Sequence, residues 1–121
     1  MTKILVVDDE KDVTLAFKIA LESRRTKVDS YNDSFQALSK YIPGAYDLVV
    51  LDIRMPNMDG FALYQEIRKI DSKVKICFFT AAEMDLEHKY LEAYKSYKDL
   101  FLLKPISNED LRKQITKIMN Y

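Results

Sequence analysis

Five short apolar runs punctuate the chain, and segments with helical spacing of apolar residues separate them. The runs are Lys3–Val7, Thr26–Tyr31, Leu48–Leu51, Val74–Phe79 and Leu100–Leu103. Four of them are near-continuous Ile, Leu, Val or Phe, the pattern of strands covered on both faces and hence of a parallel sheet. Thr26–Tyr31 ("TKVDSY") alternates instead, which suits a sheet edge. In the first intervening segment Val13, Phe17, Ala20 and Leu21 share one helix face. Asp33 with Gln36 offers a capping-box start to a second helix through Leu38 and Tyr41. Asp59-Gly60 precedes a third, with Phe61, Tyr64 and Ile67 spaced for one stripe, and a fourth is predicted from about Asp85 to Tyr97. The last begins at Ser107 as cap, with Asp110 three residues on and an Ile106–Leu111 staple around them. Its core face carries Leu111, Ile115, Ile118 and Met119.

Strand and helix thus alternate five times without interruption. That order predicts one doubly wound α/β domain over residues 1–121, with right-handed crossovers and helices on both faces of a parallel sheet. No internal repeat, low-complexity tract or linker breaks the pattern.

Composition narrows the classes of partner. Lys plus Arg number 19 and Asp plus Glu number 19, so the formal net charge is zero. Nothing in that balance draws the chain to nucleic acid or to an anionic membrane. Cys77 is the only cysteine, which excludes an intrachain disulfide and a cysteine-based zinc site. It lies in the middle of "VKICFF", the setting of a buried, unreactive thiol. The N-terminal "MTKILVVDDE" turns acidic after five apolar residues, too early for a signal peptide, and no apolar stretch is long enough to span a bilayer. A reducing cytoplasmic location is the expectation.

In open parallel sheets, ligands bind outside the carboxyl ends of the strands. Asp8, Asp9 and Glu10 follow the first run, Asp52 ends the third, Thr80 the fourth and Lys104-Pro105 the fifth. Only the second run ends with nothing of evident chemical use. Singly, each residue has a plain structural explanation, such as helix capping or strand propensity. Together on one rim they ask for more. Two carboxylates about 4 Å apart repel by roughly 4 kcal/mol at an effective dielectric near 20. Such crowding is tolerable if a hard divalent cation sits among the acids, or if the pocket is wet and the charges stay apart. Oxygen ligands with room for waters describe a magnesium site. Lys104 adds positive charge and Thr80 a hydroxyl, the charge neutralisation and positioning that phosphoryl transfer requires. A carboxylate can itself accept the phosphoryl group.

Taken in order and at their spacings, "ILVVDDE", "DLVVLDIRMPNMDG", "FFTA" and "LLKP" resemble the receiver domain of two-component response regulators, over essentially the whole chain. The resemblance implies a (βα)5 flavodoxin-like domain with strand order 2-1-3-4-5. It implies that Asp52 is the phosphoacceptor and that Asp8, Asp9, Asp52 and the Arg54 backbone carbonyl bind Mg2+, with Mn2+ as a substitute. Thr80 and Lys104 then contact the phosphoryl group, as do the amide N–H groups of Ile53 and Ala81. Phe101 falls at the aromatic position that moves inward with Thr80, and the Lys104–Pro105 bond is implied to be cis. Implied partners are a histidine kinase or histidine phosphotransfer protein and a downstream protein or effector domain. Nucleic acid and membrane are not implied as direct partners. The expected state is a monomer or a phosphorylation-dependent homodimer.

The chain departs from the family in places. "YKSYKDLFLLKP" leads into the fifth strand with no glycine, where relatives often carry Gly-Ala, so the fourth helix and its exit are expected to be longer or stiffer. Phe101 lacks the hydroxyl of the tyrosine common in relatives. Arg54 and Ala82 stand where side chains often tune phosphoryl lifetime. Leu86, Tyr90, Tyr94 and Tyr97 read as a core-facing stripe and His88 as a surface residue. Two other functions compete. An aspartyl-phosphate phosphatase or phosphotransferase of the haloacid dehalogenase type requires a second acid where Arg54 stands. A binding module that no longer takes phosphate would not need every chemical position filled. The chain stops at Tyr121, directly after the last helix, which leaves open a stand-alone receiver or the regulatory part of a longer protein.

Overall fold

The computed structural model describes residues 1–81, 101–104 and 107–120, with the backbone alone at Thr80, Ala81, Leu103 and Lys104. The described elements are β1 (Thr2–Val7), α1 (Lys11–Leu21), β2 (Thr26–Tyr31), α2 (Ser34–Lys40), β3 (Leu48–Asp52), α3 (Gly60–Ile70), β4 (Lys75–Ala81), β5 (Phe101–Lys104) and α4 (Asn108–Met119). All strand pairs are parallel and the order is β2-β1-β3-β4-β5. The helix expected over Asp85–Tyr97, with its tyrosine stripe, Ala82 and His88, lies outside the described residues, and so does Pro105.

The apolar runs lack alternation because each feeds two cores. Ile4 and Val6 of β1, Leu48 and Val50 of β3, and Cys77 and Phe79 of β4 pack on α1 and α4. Leu5, Val7, Val49, Leu51, Ile76 and Phe78 project the other way, against Ala37, Tyr41, Leu63 and Ile67 of the α2 and α3 layer. Every residue of β3 is buried, as the centre of a doubly covered sheet requires. Burying a Val, Leu, Ile or Phe side chain contributes about 1.5–3 kcal/mol, so these two layers supply the main stabilisation. Phe17 meets Phe79 edge-on, with ring centroids 4.6 Å apart at 89°. β2 stands at the edge its alternation predicts.

Three of the four described helices start at a side-chain cap, α1 being the exception. Asp33 accepts the Gln36 N–H, Asp59 the Ala62 N–H and Ser107 the Asp110 N–H. Three details differ from the sequence pattern. On α1 it is Thr14 that is buried, with Val13 packed at the margin. On α3 the buried line is Gly60, Leu63 and Ile67, and the aromatic Phe61 and Tyr64 flank it. β4 runs on past Thr80 to Ala81, because Ala81 pairs in register with Lys104. Among the described residues no helix is long and apolar enough to cross a membrane.

At the amino-terminal rim, buried Asp71 ties two loops together. Its Oδ2 accepts the Tyr41 hydroxyl at 2.8 Å and the Gly44 N–H at 3.1 Å, and its Oδ1 accepts the N–H groups of Lys73 and Val74, each at 3.2 Å. Burial by itself would raise the Asp71 pKa, but these four donors outweigh it and hold the carboxyl below its ordinary range. Burial, joined by the same contact, pushes the Tyr41 phenol upward.

Candidate functional site

The opposite, carboxyl rim gathers the chemistry. Asp52 is the last residue of the central strand and only 7% exposed. Val7 pairs with Leu51, so Asp8, one residue beyond β1, stands alongside Asp52. On the other flank Asp52 pairs with Phe79, which brings Thr80 to the same rim. Thr80 in turn pairs with Leu103 and Ala81 with Lys104, so four adjacent strands end here in sequence. Parallel register aligns residues that the chain separates by dozens of positions.

The loop after β1 is acidic and crowded. Asp8 is 1% exposed, whereas Asp9 and Glu10 are exposed. One carboxylate oxygen from each lies within 4.8 Å of the others. Asp8 Oδ1 accepts the Glu10 N–H at 2.9 Å, which turns that carboxylate along the loop. An all-oxygen donor set of this compactness fits a hard divalent cation such as Mg2+. Cys77 has no part in it, since burial pushes the thiol up to about 12 and leaves no thiolate to act as ligand or nucleophile.

After β3 the chain folds tightly back. Ile53 is fully buried and Arg54 is exposed. The Met58 N–H bonds the Pro56 carbonyl at 2.8 Å around Asn57, whose φ of 71° is in the left-handed region that asparagine tolerates. Ser34 on α2 donates its hydroxyl to the Met58 carbonyl at 2.8 Å and so clamps the loop from outside. The Gly60 N–H then bonds the Ile53 carbonyl at 2.8 Å. This bond draws the start of α3 so close that a Cβ at Gly60 would sit 2.1 Å from the Asp52 carbonyl oxygen. Only glycine fits this approach.

Phe101, at the start of β5, is half-buried. Its ring lies 5.2 Å from that of Phe78 and 6.4 Å from that of Phe61 on α3. The link to α3 is not visible in the sequence, because 40 positions separate the two residues. The end of β2 reaches the acidic loop through a residue that the sequence pattern does not single out. Asn32, the next residue, donates its side-chain amide to the Asp8 carbonyl at 2.8 Å and to the Thr14 hydroxyl at 3.0 Å. A short amide-bearing residue directly after an edge strand was the available signal.

Comparison with known proteins agrees with this architecture. The family model described as "Response regulator receiver domain" matches residues 4–116. The transcriptional regulatory protein RprY of Bacteroides fragilis is 31% identical over 97% of this chain and 49% of its own length. The chain therefore spans about half the length of that regulator, as it does of ResD from Bacillus subtilis, 45% of which it covers. The chemotaxis protein CheY of Bacillus subtilis is 30% identical over 98% of both chains. Among solved structures, the response regulator TrrA of Thermotoga maritima, in complex with Mg2+ and BeF, aligns with a TM-score of 0.78 and 33% identity, over 98% of this chain and 99% of that one. The non-phosphorylated HemR receiver domain of Leptospira biflexa aligns with a TM-score of 0.84 and 26% identity, over 100% of this chain and 96% of that one. Five parallel strands in the order β2-β1-β3-β4-β5, an acidic carboxyl rim and a family match over nearly the full length lead to one conclusion: the chain belongs to the response regulator receiver domain family of two-component signalling.

Proposed function

We propose that this chain is a phosphorylation-controlled switch in which Asp52 accepts the phosphoryl group. The observation that carries the reading is a carboxylate at the end of the fully buried central strand, next to buried Asp8 and its acidic loop. A carboxylate oxygen of Asp52 attacks phosphorus and forms the acyl phosphate, while the bond from phosphorus to the donor breaks. The donor is a histidine kinase, a histidine phosphotransfer protein or a small acyl phosphate. Water later attacks the same phosphorus and returns Asp52 to its carboxylate form.

The other residues bind and position. Asp8, Asp9, Asp52 and the Arg54 carbonyl would hold Mg2+, or Mn2+ in its place. When bound, the ion supplies the positive charge that lets carboxylates and phosphoryl oxygens come together. Lys104 pairs with the phosphoryl oxygens, and the Thr80 hydroxyl and the N–H groups of Ile53 and Ala81 hydrogen-bond to them. Movement of Thr80 couples to Phe101, and the surface of the helix expected over Asp85–Tyr97, β5 and α4 carries the change to a downstream protein or effector domain. Neutral net charge supports a protein rather than nucleic acid or membrane as the direct partner. The single cysteine is in keeping with a reducing cytoplasm. A monomer, or a homodimer that forms on phosphorylation, suits a chain of this size.

The test is direct. Incubation with Mg2+ and acetyl phosphate should add one phosphoryl group, detected as an intact-mass increment that chelation abolishes. Asp52→Asn should remove it. Undiminished labelling of Asp52→Asn would refute the assignment.

A further inference from the structure

Within the β1–α1 loop the Glu10 N–H holds Asp8 Oδ1 at 2.9 Å, but the peptide from which the Asp8 and Asp9 carboxylates leave is held from outside the loop. We infer that Asn32 is a positioning residue that holds this loop in its metal-binding form. The inference rests on the proposed magnesium-dependent reading of the rim and assigns it a further residue.

The Asp8 peptide is gripped on both sides by the segment that ends β2. Its N–H donates to the Tyr31 carbonyl at 3.2 Å, and its carbonyl accepts the Asn32 amide at 2.8 Å. The second N–H of the same amide reaches the Thr14 hydroxyl at 3.0 Å. That hydroxyl donates onward to the Lys11 carbonyl at 3.1 Å in the first turn of α1. Thr14 is 4% exposed, so water does not readily replace these bonds. One side chain therefore joins the end of β2, the acidic loop and the first turn of α1. Both donors of the amide are used, and a carboxylate at this position would supply none.

The bond to the Asp8 carbonyl sets the plane of the Asp8–Asp9 peptide, and with it the directions in which both carboxylates leave the backbone. Without the brace the Asp8–Asp9 peptide loses its anchor to the end of β2 and to α1, and the two carboxylates lose their fixed directions. A cation must then gather them at the moment of binding, which weakens its affinity. Partners that orient metal-binding groups without touching the metal typically matter by about 10–100-fold in affinity. Asn32→Ala should fall in that range. Thr14→Val, which removes only the outer anchor of the amide, should weaken binding less, and Thr14→Ser should restore it.

The experiment is a titration of the unphosphorylated chain with Mn2+, followed by electron paramagnetic resonance of the unbound ion, alongside thermal unfolding without metal. Wild type should bind one ion and Asp9→Asn should lose it. If wild type binds none, or Asp9→Asn binds equally well, the magnesium reading itself falls. If wild type binds and Asn32→Ala matches its dissociation constant, the positioning role alone is overturned. If Asn32→Ala melts below the working temperature, the Thr14→Val and Thr14→Ser pair decides. Weakened binding rescued by serine supports the brace, and equal binding by both overturns it.

Discussion

Gly60 gives the sharpest test of how the rim is built. An alanine there would place its Cβ 2.1 Å from the Asp52 carbonyl oxygen and 3.0 Å from both the Asp52 carbonyl carbon and the Ile53 Cα. Ordinary contact begins near 3.4 Å, so the start of α3 must withdraw by roughly 1.3 Å. The obstacle is backbone of the central strand, buried on both faces, and no side chain can move aside. Withdrawal stretches the 2.8 Å bond from the Gly60 N–H to the Ile53 carbonyl. Overpacking of this kind costs about 1–3 kcal/mol and the lost bond about 1 kcal/mol. Alanine returns at most about 1 kcal/mol through its better helix propensity. The net expectation is about 2 kcal/mol of destabilisation, which for a domain of this size is a fall in Tm of roughly 5–10 °C. Thermal and urea unfolding monitored by circular dichroism measure it, with an unchanged urea slope showing that the loss is one of stability. Gly44 is the control, since its φ is +82° and a Cβ there meets nothing within 4 Å. Gly44→Asn should cost only the modest strain of that backbone, which asparagine bears better than other side chains, whereas Gly60→Asn should be worse than Gly60→Ala. A Gly60→Ala protein that melts within about 2 °C of wild type would refute the close approach.

Two further expectations concern groups away from the acidic loop. Asp71→Asn should cost about 2–3 kcal/mol at neutral pH, because hydrogen bonds to a buried carboxylate are stronger than neutral ones. The native Asp71 pKa lies below its ordinary value of 3.8, so its stabilisation is fully present above that pH and is lost as pH falls through the native value. The stability gap between wild type and Asp71→Asn should therefore narrow below about pH 3.8, and a gap that widens there would contradict the sign. Cys77, fully buried with its thiol pushed up to about 12, should resist iodoacetamide in native buffer and react promptly in denaturant. Alkylation of the folded protein at the rate of a free thiol would place it elsewhere.

The periodicities carried much of this molecule. Continuous runs of Ile, Leu and Val mark the inner strands because a residue on either face of a covered sheet enters a core, as Ile4 and Leu5 do on opposite sides. Asp33, Asp59 and Ser107 mark helix starts because a cap needs only the N–H two or three residues ahead. The acids and polar residues at strand ends are legible for a similar reason. Parallel topology sends every strand's carboxyl end to one rim, so the order of elements alone brings Asp8, Asp52, Thr80 and Lys104 to a common edge.

Other features depend on distance in space and leave no local trace. Thr14 rather than Val13 is buried, and its hydroxyl meets Asn32, which arrives from the end of β2. Phe101 packs on Phe61 only once β5 lies beside β4 and α3 covers both. Asp71 looks like any polar loop residue until Tyr41 and Gly44 arrive from another loop. By itself the amino-acid order determined the described strands and helices, their order and the acids that follow β1 and end β3, all set by spacing along one chain. Tertiary structure alone decided that Gly60 must touch the Asp52 carbonyl and that Asn32 must brace the Asp8 loop. Such contacts exist only after the sheet register has joined segments that the sequence keeps apart.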